Sequence, residues 1–192
     1  PGIANGTLRL GILVQNISAT ATFHRQGIRD GAVIARLVGP VCVGSAGGAW
    51  LATQLSAALL RPLFGGLLLL WSGLLLWRPG RLLEAASEPR PVGLASALLA
   101  GAIGFYGGFV QAGAGFPLIG LLVYHLGHPV VRANGIKLAL ILAYTLIAFP
   151  LFVHARQVAW LPGAALALGG MIGGWIGVRL QLRVGPRLVR WA

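Results

Sequence analysis

Six long apolar runs, separated by short polar connectors, limit what this chain can fold into. A helix needs about 20 mostly apolar residues to cross the hydrocarbon core of a bilayer. The connectors between the runs hold most of the charges and many of the helix-breaking residues. This pattern predicts an all-α membrane protein, a polytopic bundle of transmembrane helices. The predicted spans are residues 4–23, 31–53, 62–77, 92–123, 134–153 and 160–180.

The composition supports a membrane location over a water-soluble one. Hydrophobic residues make up 57% of the 192 residues and charged residues only 9%, which is too little polar surface for a soluble globule. The net charge of +12 is compatible with nucleic-acid binding, but the arginines are scattered between apolar runs and form no basic face. We therefore expect a multi-pass membrane protein that contacts lipid and no nucleic acid.

The residue types required for catalysis or metal binding do not occur in usable combinations. We find no nucleophile, base and carboxylate set, and the single cysteine, Cys42, cannot form a thiolate cluster. The sequence predicts no enzymatic activity, no cofactor and no metal. Four histidines lie near span ends and serve either as interface residues or, since no carboxylate is embedded in a span, in proton coupling. They are His24, His125, His128 and His154.

The fourth run is too long for a simple crossing and contains the stretch "GGFVQAGAGFP" at residues 107–117. It is either one kinked span or a span followed by a re-entrant half-helix at about 113–126. Irregular backbone is tolerated at membrane depth only where protein or a watery cavity covers it. Glycine lets the backbone approach a ligand and Gln111 adds an amide donor, so Gln111, Gly113 and Gly115 serve either a ligand or close helix packing, and we take the ligand role as the prediction. For Gly104, Gly107 and Gly108 we predict close helix packing.

The two halves of the chain share sequence motifs in the same order. "ANGTLRL" at 4–10 recurs as "ANGIKLAL" at 133–140, and "GSAGGAWLATQL" at 44–55 aligns with "GGMIGGWIGVRL" at 169–180. Transporters are often built from such repeats, with the substrate site where they meet. The second match pairs Gly48 with Gly173 and Trp50 with Trp175, and we expect the tryptophans to pack the repeats together.

The matches divide the chain into a first repeat at 1–80, a cytoplasmic or external connector at 81–91 and a second repeat at 92–192. The glycine-rich segment at 92–128 has no partner before residue 1, and the span at 62–77 has almost none at the carboxyl end. The bundle is thus expected to be truncated at both ends. Four segments per repeat would make the halves parallel, and a re-entrant segment would reverse that.

The order of these elements resembles a known family. "ANGTLRLGILVQNISATATFHRQG", "GFYGGFVQAGAGFPLIGLLV", "RANGIKLAL" and "GGWIGVRL" are similar to the sulfite exporter family of the TauE/SafE type. The resemblance implies a multi-spanning inner-membrane permease. It also implies substrates such as sulfite, sulfonates and related sulfur-containing organic anions.

Two cations, Arg9 and Lys137, lie within or at the edge of predicted spans, whereas the acidic residues Asp30, Glu84 and Glu88 all lie in connectors. A buried cation costs a few kcal/mol and usually faces a cavity or a partner. The partner here is either an anionic substrate or, if both side chains snorkel, the headgroup interface.

Four amides complete the candidate substrate-binding residues. Asn5 and Asn134 precede the two cations in "ANG" triplets, which we interpret as turns that open a helix, acting as caps alone or as caps that also present N–H groups to an anion. Gln15 and Asn16 lie in the middle of the first span, where they either line the pathway or bond between helices.

Together these features predict a membrane permease or exporter of small sulfur-containing anions, such as sulfite and organosulfonates, with its site between two repeats. The alternatives are a transporter of another small anion or metabolite and a non-transporting structural membrane subunit. The expected partners are a small-molecule anion and the lipid bilayer, and a homo-oligomeric state is left open.

Overall fold

The structure is a computed structural model that describes residues 1–27, 30–77 and 89–184. Within these ranges the chain is helical and contains no strand, which confirms the expected all-α class. Part of the expected connector, residues 81–88, lies outside the described residues, as do Glu84 and Glu88. The elements are α1 (Gly2–Arg25), α2 (Gly31–Gln54), α3 (Ala57–Trp77), α4 (Leu94–Phe109), α5 (Gly115–Gly120), a π-helix (Leu121–His125), α6 (Val130–His154) and α7 (Trp160–Val184).

Three of the described helices, α2, α6 and α7, are long and apolar enough to cross a membrane. Although α1 has 24 residues, it is not among them. It carries buried polar side chains and packs between α6 and α7. Protein therefore covers polar groups that would be costly in contact with lipid.

Contacts at both ends of the bundle fix the directions of the helices. At one end, which we call the Asp30 end, the Asp30 carboxylate accepts a hydrogen bond of 2.6 Å from Nε of Arg132, near the start of α6. At the other, the Gln157 end, a Cβ on Gly6 would lie 2.0 Å from the carbonyl oxygen of Gln157, just after α6. Hence α1 runs antiparallel to α6.

Three hydrogen bonds between helices or their ends give the directions of the remaining helix pairs. The Ser45 hydroxyl donates to the Tyr144 carbonyl (3.1 Å) and the Gln157 amide to the Thr53 carbonyl (3.4 Å), so α2 runs parallel to α6. The Thr7 hydroxyl accepts a hydrogen bond from the N–H of Ala159 (2.9 Å), which places the starts of α1 and α7 together and makes them parallel. The four helices thus form two antiparallel layers of parallel pairs.

The glycine-rich run at 92–123 forms a hairpin. Helix α4 leaves the Asp30 end beside α2, the chain breaks after Phe109, and α5 with the π-helix returns. The N–H of Arg90 donates to the carbonyl of Leu126 (2.9 Å), so both ends of the hairpin lie together. This is the re-entrant alternative. It also means that the "ANG" helices, α1 and α6, are antiparallel, and the expectation of parallel halves is wrong.

Glycines allow the close contact between α2 and α4. A Cβ on Gly104 would lie 2.2 Å from the Val41 carbonyl oxygen, and one on Gly108 would lie 2.1 Å from the Ser45 carbonyl oxygen. On the other side of α4, a Cβ on Gly107 would lie 2.8 Å from the Tyr144 ring. The predicted packing role of Gly104, Gly107 and Gly108 is confirmed.

The predicted packing role of the two tryptophans is wrong. Trp50 is 59% exposed and Trp175 is 44% exposed, so both side chains face away from the bundle. The guanidinium of Arg179 lies over the Trp175 ring, 4.0 Å from its centroid. The small residues beside the tryptophans form the helix contacts instead, because only they let the backbones approach.

Candidate functional site

The break between α4 and α5, residues 110–114, is the centre of the candidate site. Gln111 has φ +67° and Gly113 has φ +76°, both in the left-handed region. For glutamine this conformation costs on the order of 1–3 kcal/mol and persists only if its surroundings hold it. The Gln111 side chain supplies that support, because its Oε1 accepts from Arg9 (2.9 Å) and its Nε2 donates to Thr145 Oγ1 (3.3 Å). The break is thereby tied to α1 and α6.

Arg9 caps the end of α4 from the side of α1. Its side chain is fully buried, and Nη2 donates to the carbonyl oxygens of Gly107 (3.3 Å) and Gly108. The last carbonyls of a helix lack partners within the helix and carry partial negative charge, so a cation is favourable there. The guanidinium carbon also lies 4.3 Å from the centroid of the Phe152 ring. With no exposed surface, Arg9 does not snorkel to a headgroup interface.

Asn5, one turn before Arg9, makes a second cap. Its Nδ2 donates to the carbonyl oxygen of Phe109 (2.8 Å), the last residue of α4. Its Oδ1 is buried and has no partner among the described residues. Asn5 and Arg9 are on the same face of α1 because four residues make about one helical turn. Together they occupy the carbonyl end of α4.

The prediction that the "ANG" triplets are turns that open helices is wrong. Asn5 and Asn134 lie inside α1 and α6, whose N-caps are Pro1 and Pro129. The N–H of Asn5 donates to the Pro1 carbonyl (2.9 Å), so it is not free to meet an anion. Helix α6 begins earlier than expected because Pro129 precedes its first turn, where a missing N–H costs nothing.

Lys137 lies on the other side of the break. A Cβ on Gly115, the first residue of α5, would lie 3.6 Å from Cδ of Lys137 and 3.9 Å from its Nζ. Lys137 is half-buried two turns into α6, and it has no hydrogen-bond or ion-pair partner among the described residues. The Asp30 carboxylate is bound to Arg132 at the Asp30 end. The break therefore has a cation beside it that the described protein leaves unpaired.

Three of the predicted site residues lie elsewhere. Asn134 donates to Oε1 of Gln181 on α7 (2.6 Å). Gln15 is exposed and contacts α7, where a Cβ on Gly174 would lie 2.7 Å from the Gln15 carbonyl oxygen. Asn16 is buried, but its Nδ2 donates within its own helix to the Ile12 carbonyl (2.7 Å). The structure brings together Asn5, Arg9, Gln111, Gly113, Gly115 and Lys137.

The sequence reasoning missed two contributors on α6, Thr145 and Phe152. Thr145 bonds the Gln111 amide, and Phe152 packs against the Arg9 guanidinium. Thr145 lies eight residues after Lys137, so the two share a helix face. This spacing could have predicted that Thr145 lies near the candidate site, and the sequence shows no comparable pattern for Phe152.

A second polar cluster lies at the Asp30 end, where His128 sits near the Asp30 and Arg132 ion pair. His128 is 5% exposed, and neither ring nitrogen has a partner among the described residues. Burial lowers the pKa of His128, the Arg132 charge lowers it further, and the Asp30 charge opposes both. Burial and the Arg132 charge thus both favour the neutral imidazole.

Comparison with known proteins identifies the family. A family model described as "Sulfite exporter TauE/SafE" matches residues 1–192. The chain belongs to this family. Its relatives include proteins named "Probable membrane transporter protein YfcA" from Escherichia coli strain K12 and from Escherichia coli O157:H7. Each is 29% identical over 191 residues, which cover 99% of this chain and 71% of the relative. No solved structure matches the chain.

Membership of the TauE/SafE family confirms the resemblance read from the motifs, and the family and relatives indicate a membrane transporter. The relatives' name gives no substrate. The substrate must therefore be inferred from the chemistry of the break.

Proposed function

We propose that this protein is a permease of the cell (inner or plasma) membrane that moves small sulfur-containing anions, such as sulfite or organosulfonates, through a site at the break between α4 and α5. The observation that carries the proposal is the unpaired ammonium of Lys137 beside Gly115. A cation partly removed from water is unfavourable until an opposite charge reaches it. The described residues offer it no carboxylate, so a substrate anion is the fitting partner.

The two cations have different roles in this proposal. Lys137 contacts the anion, because its three N–H donors have no other use in the described structure. Arg9 is a positioning residue, since its Nη atoms are already bonded to Gln111 and to the end of α4. Gln111 and Asn5 hold the same backbone, and Gly115 leaves room for a ligand next to the ammonium. Sulfite and sulfonates offer several acceptor oxygens to such a site.

The proposed site lies between two repeats that run in opposite directions. The motif matches assign α1, α2 and α3 to the first repeat, and the α4 hairpin, α6 and α7 to the second. The site would then combine α1 from one repeat with the hairpin and α6 from the other. Inverted repeats with a broken helix at their interface are a recurrent transporter design. In this scheme each repeat lacks one segment within residues 1–192.

Efflux of radiolabelled sulfite from proteoliposomes containing the full-length protein tests this function. We expect Lys137→Gln to lose flux because the ammonium contacts the anion, and Arg36→Gln to keep it because Arg36 is exposed on α2 and has no contact with the break. Unlabelled sulfonates should compete, and carboxylates should compete weakly. Equal flux in wild type and Lys137→Gln would remove the basis of the proposal.

The same assay separates the alternatives. Flux of a carboxylate or another anion that depends on Lys137, without sulfite flux, would assign a different anionic substrate to the same site. Absence of flux for every anion, in vesicles where the protein is folded, would favour a structural membrane subunit.

A further inference from the structure

A cavity of about 280 Å³ lies between α1, α2 and α6 at the Asp30 end. We call it the Thr20 cavity, because Thr20 forms its wall on α1, together with His24. Gly135 and Ala139 line it from α6. A water molecule takes up about 30 Å³ in the liquid, so the cavity has room for several waters or for a small oxyanion. It reaches the protein surface, since the His24 side chain is exposed.

Buried polar atoms of α1 without a hydrogen-bond partner form a line that begins at this cavity. Among the described residues they are Oγ1 of Thr20, Oδ1 of Asn16, Nε of Arg9 and Oδ1 of Asn5. Spacings of four, seven and four residues place all of them on one helix face. Buried polar groups are nearly always bonded to protein or to ordered water. This face of α1 therefore needs water along its length, from the Thr20 cavity to the break.

The α6 wall of the cavity adjoins the lysine of the candidate site. Lys137 lies within one helical turn of Gly135, which lines the cavity, and its side chain extends to Gly115 at the start of α5. The Asp30 carboxylate also lines the cavity, but it is bound to Arg132. Among the described residues, the cavity thus has no free carboxylate that would repel an anion.

Exposed arginines concentrate at the end where the cavity opens. Among the described residues, the Gln157 end has Arg61 in the first turns of α3 and Arg156 just after α6. The exposed arginines at the Asp30 end are Arg25, Arg36, Arg90, Arg132, Arg179 and Arg183. Cytoplasmic loops of membrane proteins carry an excess of lysine and arginine. This asymmetry indicates that the Asp30 end faces the cytoplasm.

We infer that the Thr20 cavity is a water-filled vestibule, open to the cytoplasm, through which small anions reach Lys137. The exposed arginines at the Asp30 end attract anions and raise their local concentration. The unpartnered oxygens of Thr20 and Asn16 bind the water that accompanies the anion. The inference rests on the proposed function for its destination, Lys137, and adds the side of the membrane from which that site is reached.

Labelling of single cysteines in the full-length protein, with its own cysteines replaced, tests the inference. Thr20→Cys and Ala139→Cys should react with sulfonatoethyl methanethiosulfonate, a membrane-impermeant sulfonate, in inside-out vesicles. Both should stay unlabelled in right-side-out vesicles, because the cavity opens only to the cytoplasm. Leu98→Cys is the control at a similar depth, one turn into α4 and 66% exposed. It should stay unlabelled in both kinds of vesicle, because the reacting form is the thiolate, which lipid does not support.

Labelling only in right-side-out vesicles would overturn the inference, since the cavity would then open to the outside. Absence of labelling at positions 20 and 139 in both kinds of vesicle, with folded protein shown by size-exclusion chromatography, would mean that the cavity is dry. Equal labelling at position 98 would also overturn the inference, because the reaction would then report depth alone.

The labelling does not require transport, so it separates the vestibule from the proposed function. Absence of sulfite flux together with the expected labelling would reject the substrate and keep the vestibule. Flux that depends on Lys137, without labelling at either position, would keep the function and reject the vestibule.

Discussion

Replacing Arg9 by methionine should destabilise the protein, whereas replacing Lys137 by methionine should not. Arg9→Met leaves Oε1 of Gln111 and the carbonyls of Gly107 and Gly108 without the guanidinium. Each buried acceptor left unsatisfied costs about 1–3 kcal/mol, so the three acceptors together cost roughly 3–9 kcal/mol. Removing a buried cation stabilises the protein by about 3 kcal/mol on the membrane-insertion scale. The net destabilisation should therefore be up to about 6 kcal/mol.

Lys137→Met removes a charge but no hydrogen bond, because Lys137 has no partner among the described residues. It should leave the free energy of unfolding unchanged or raise it, by less than the full cost of a buried cation because the side chain is only half-buried. The difference in the free energy of unfolding between the two variants then reports mainly the cost of leaving the acceptors of Arg9 unsatisfied. Arg36→Met, at an exposed position on α2, is the matched control.

Equilibrium unfolding of the full-length protein in detergent, followed by far-UV circular dichroism, gives these differences. The same samples with sulfite test the role of Lys137, since a ligand at ten times its Kd stabilises the native state by about 1.4 kcal/mol. That gain should occur in wild type and Arg36→Met and be absent in Lys137→Met. If Arg9→Met proves as stable as Lys137→Met, the guanidinium does not hold the end of α4.

Three further substitutions and one control probe the rest of the fold. Gly108→Ala should destabilise the protein by about 1–3 kcal/mol in the same unfolding assay, because the new Cβ would meet the α2 backbone. Gly65→Ala is the control and should be neutral or stabilising, because Gly65 has open space around it. Asp30→Asn should lower the melting temperature at low salt more than at high salt, because it removes the charge that pairs with half-exposed Arg132. The pKa of His128 is lowered below 6.5 in the folded state, so the unfolded state binds the proton first and the protein should lose stability as the pH falls below 6.5. The melting temperature of His128→Gln should therefore decrease less than that of wild type between pH 7.5 and pH 5.

The sequence predicted the helices well because apolar runs of sufficient length leave few other choices. It did not decide the course of residues 92–126, since hydropathy is the same for a kinked span and for a hairpin. The deciding contact joins Arg90 to Leu126, far apart in sequence. The start of α6 was also misplaced, because the proline at 129 opens the helix before the "ANG" triplet.

The candidate site was predicted in its region but not in its division of roles. Gly113 and Gly115 were named because glycine lets the backbone approach a ligand, and Gln111 because its amide lies at the same break. The positive φ of Gln111 was not predicted, because glutamine carries no sequence signal for it. The different use of the two cations follows from the neighbours of their helices, which the motifs do not reveal. Arg9 on α1 meets the carbonyl end of α4, whereas Lys137 on α6 lies beside Gly115 at the start of α5.

The placement of the two cations also suggests why the break should prefer anions. The carbonyl end of α4 would by itself present partial negative charge to the break. Arg9 and Asn5 bind those carbonyls, so their charge is neutralised inside the protein. Lys137 then acts beside the start of α5 without an opposing charge in the described structure. In the proposed site, selectivity for anions would thus depend on both cations, although only Lys137 would contact the substrate. Without the Arg9 cap, the ammonium of Lys137 would act next to carbonyls whose charge is not neutralised.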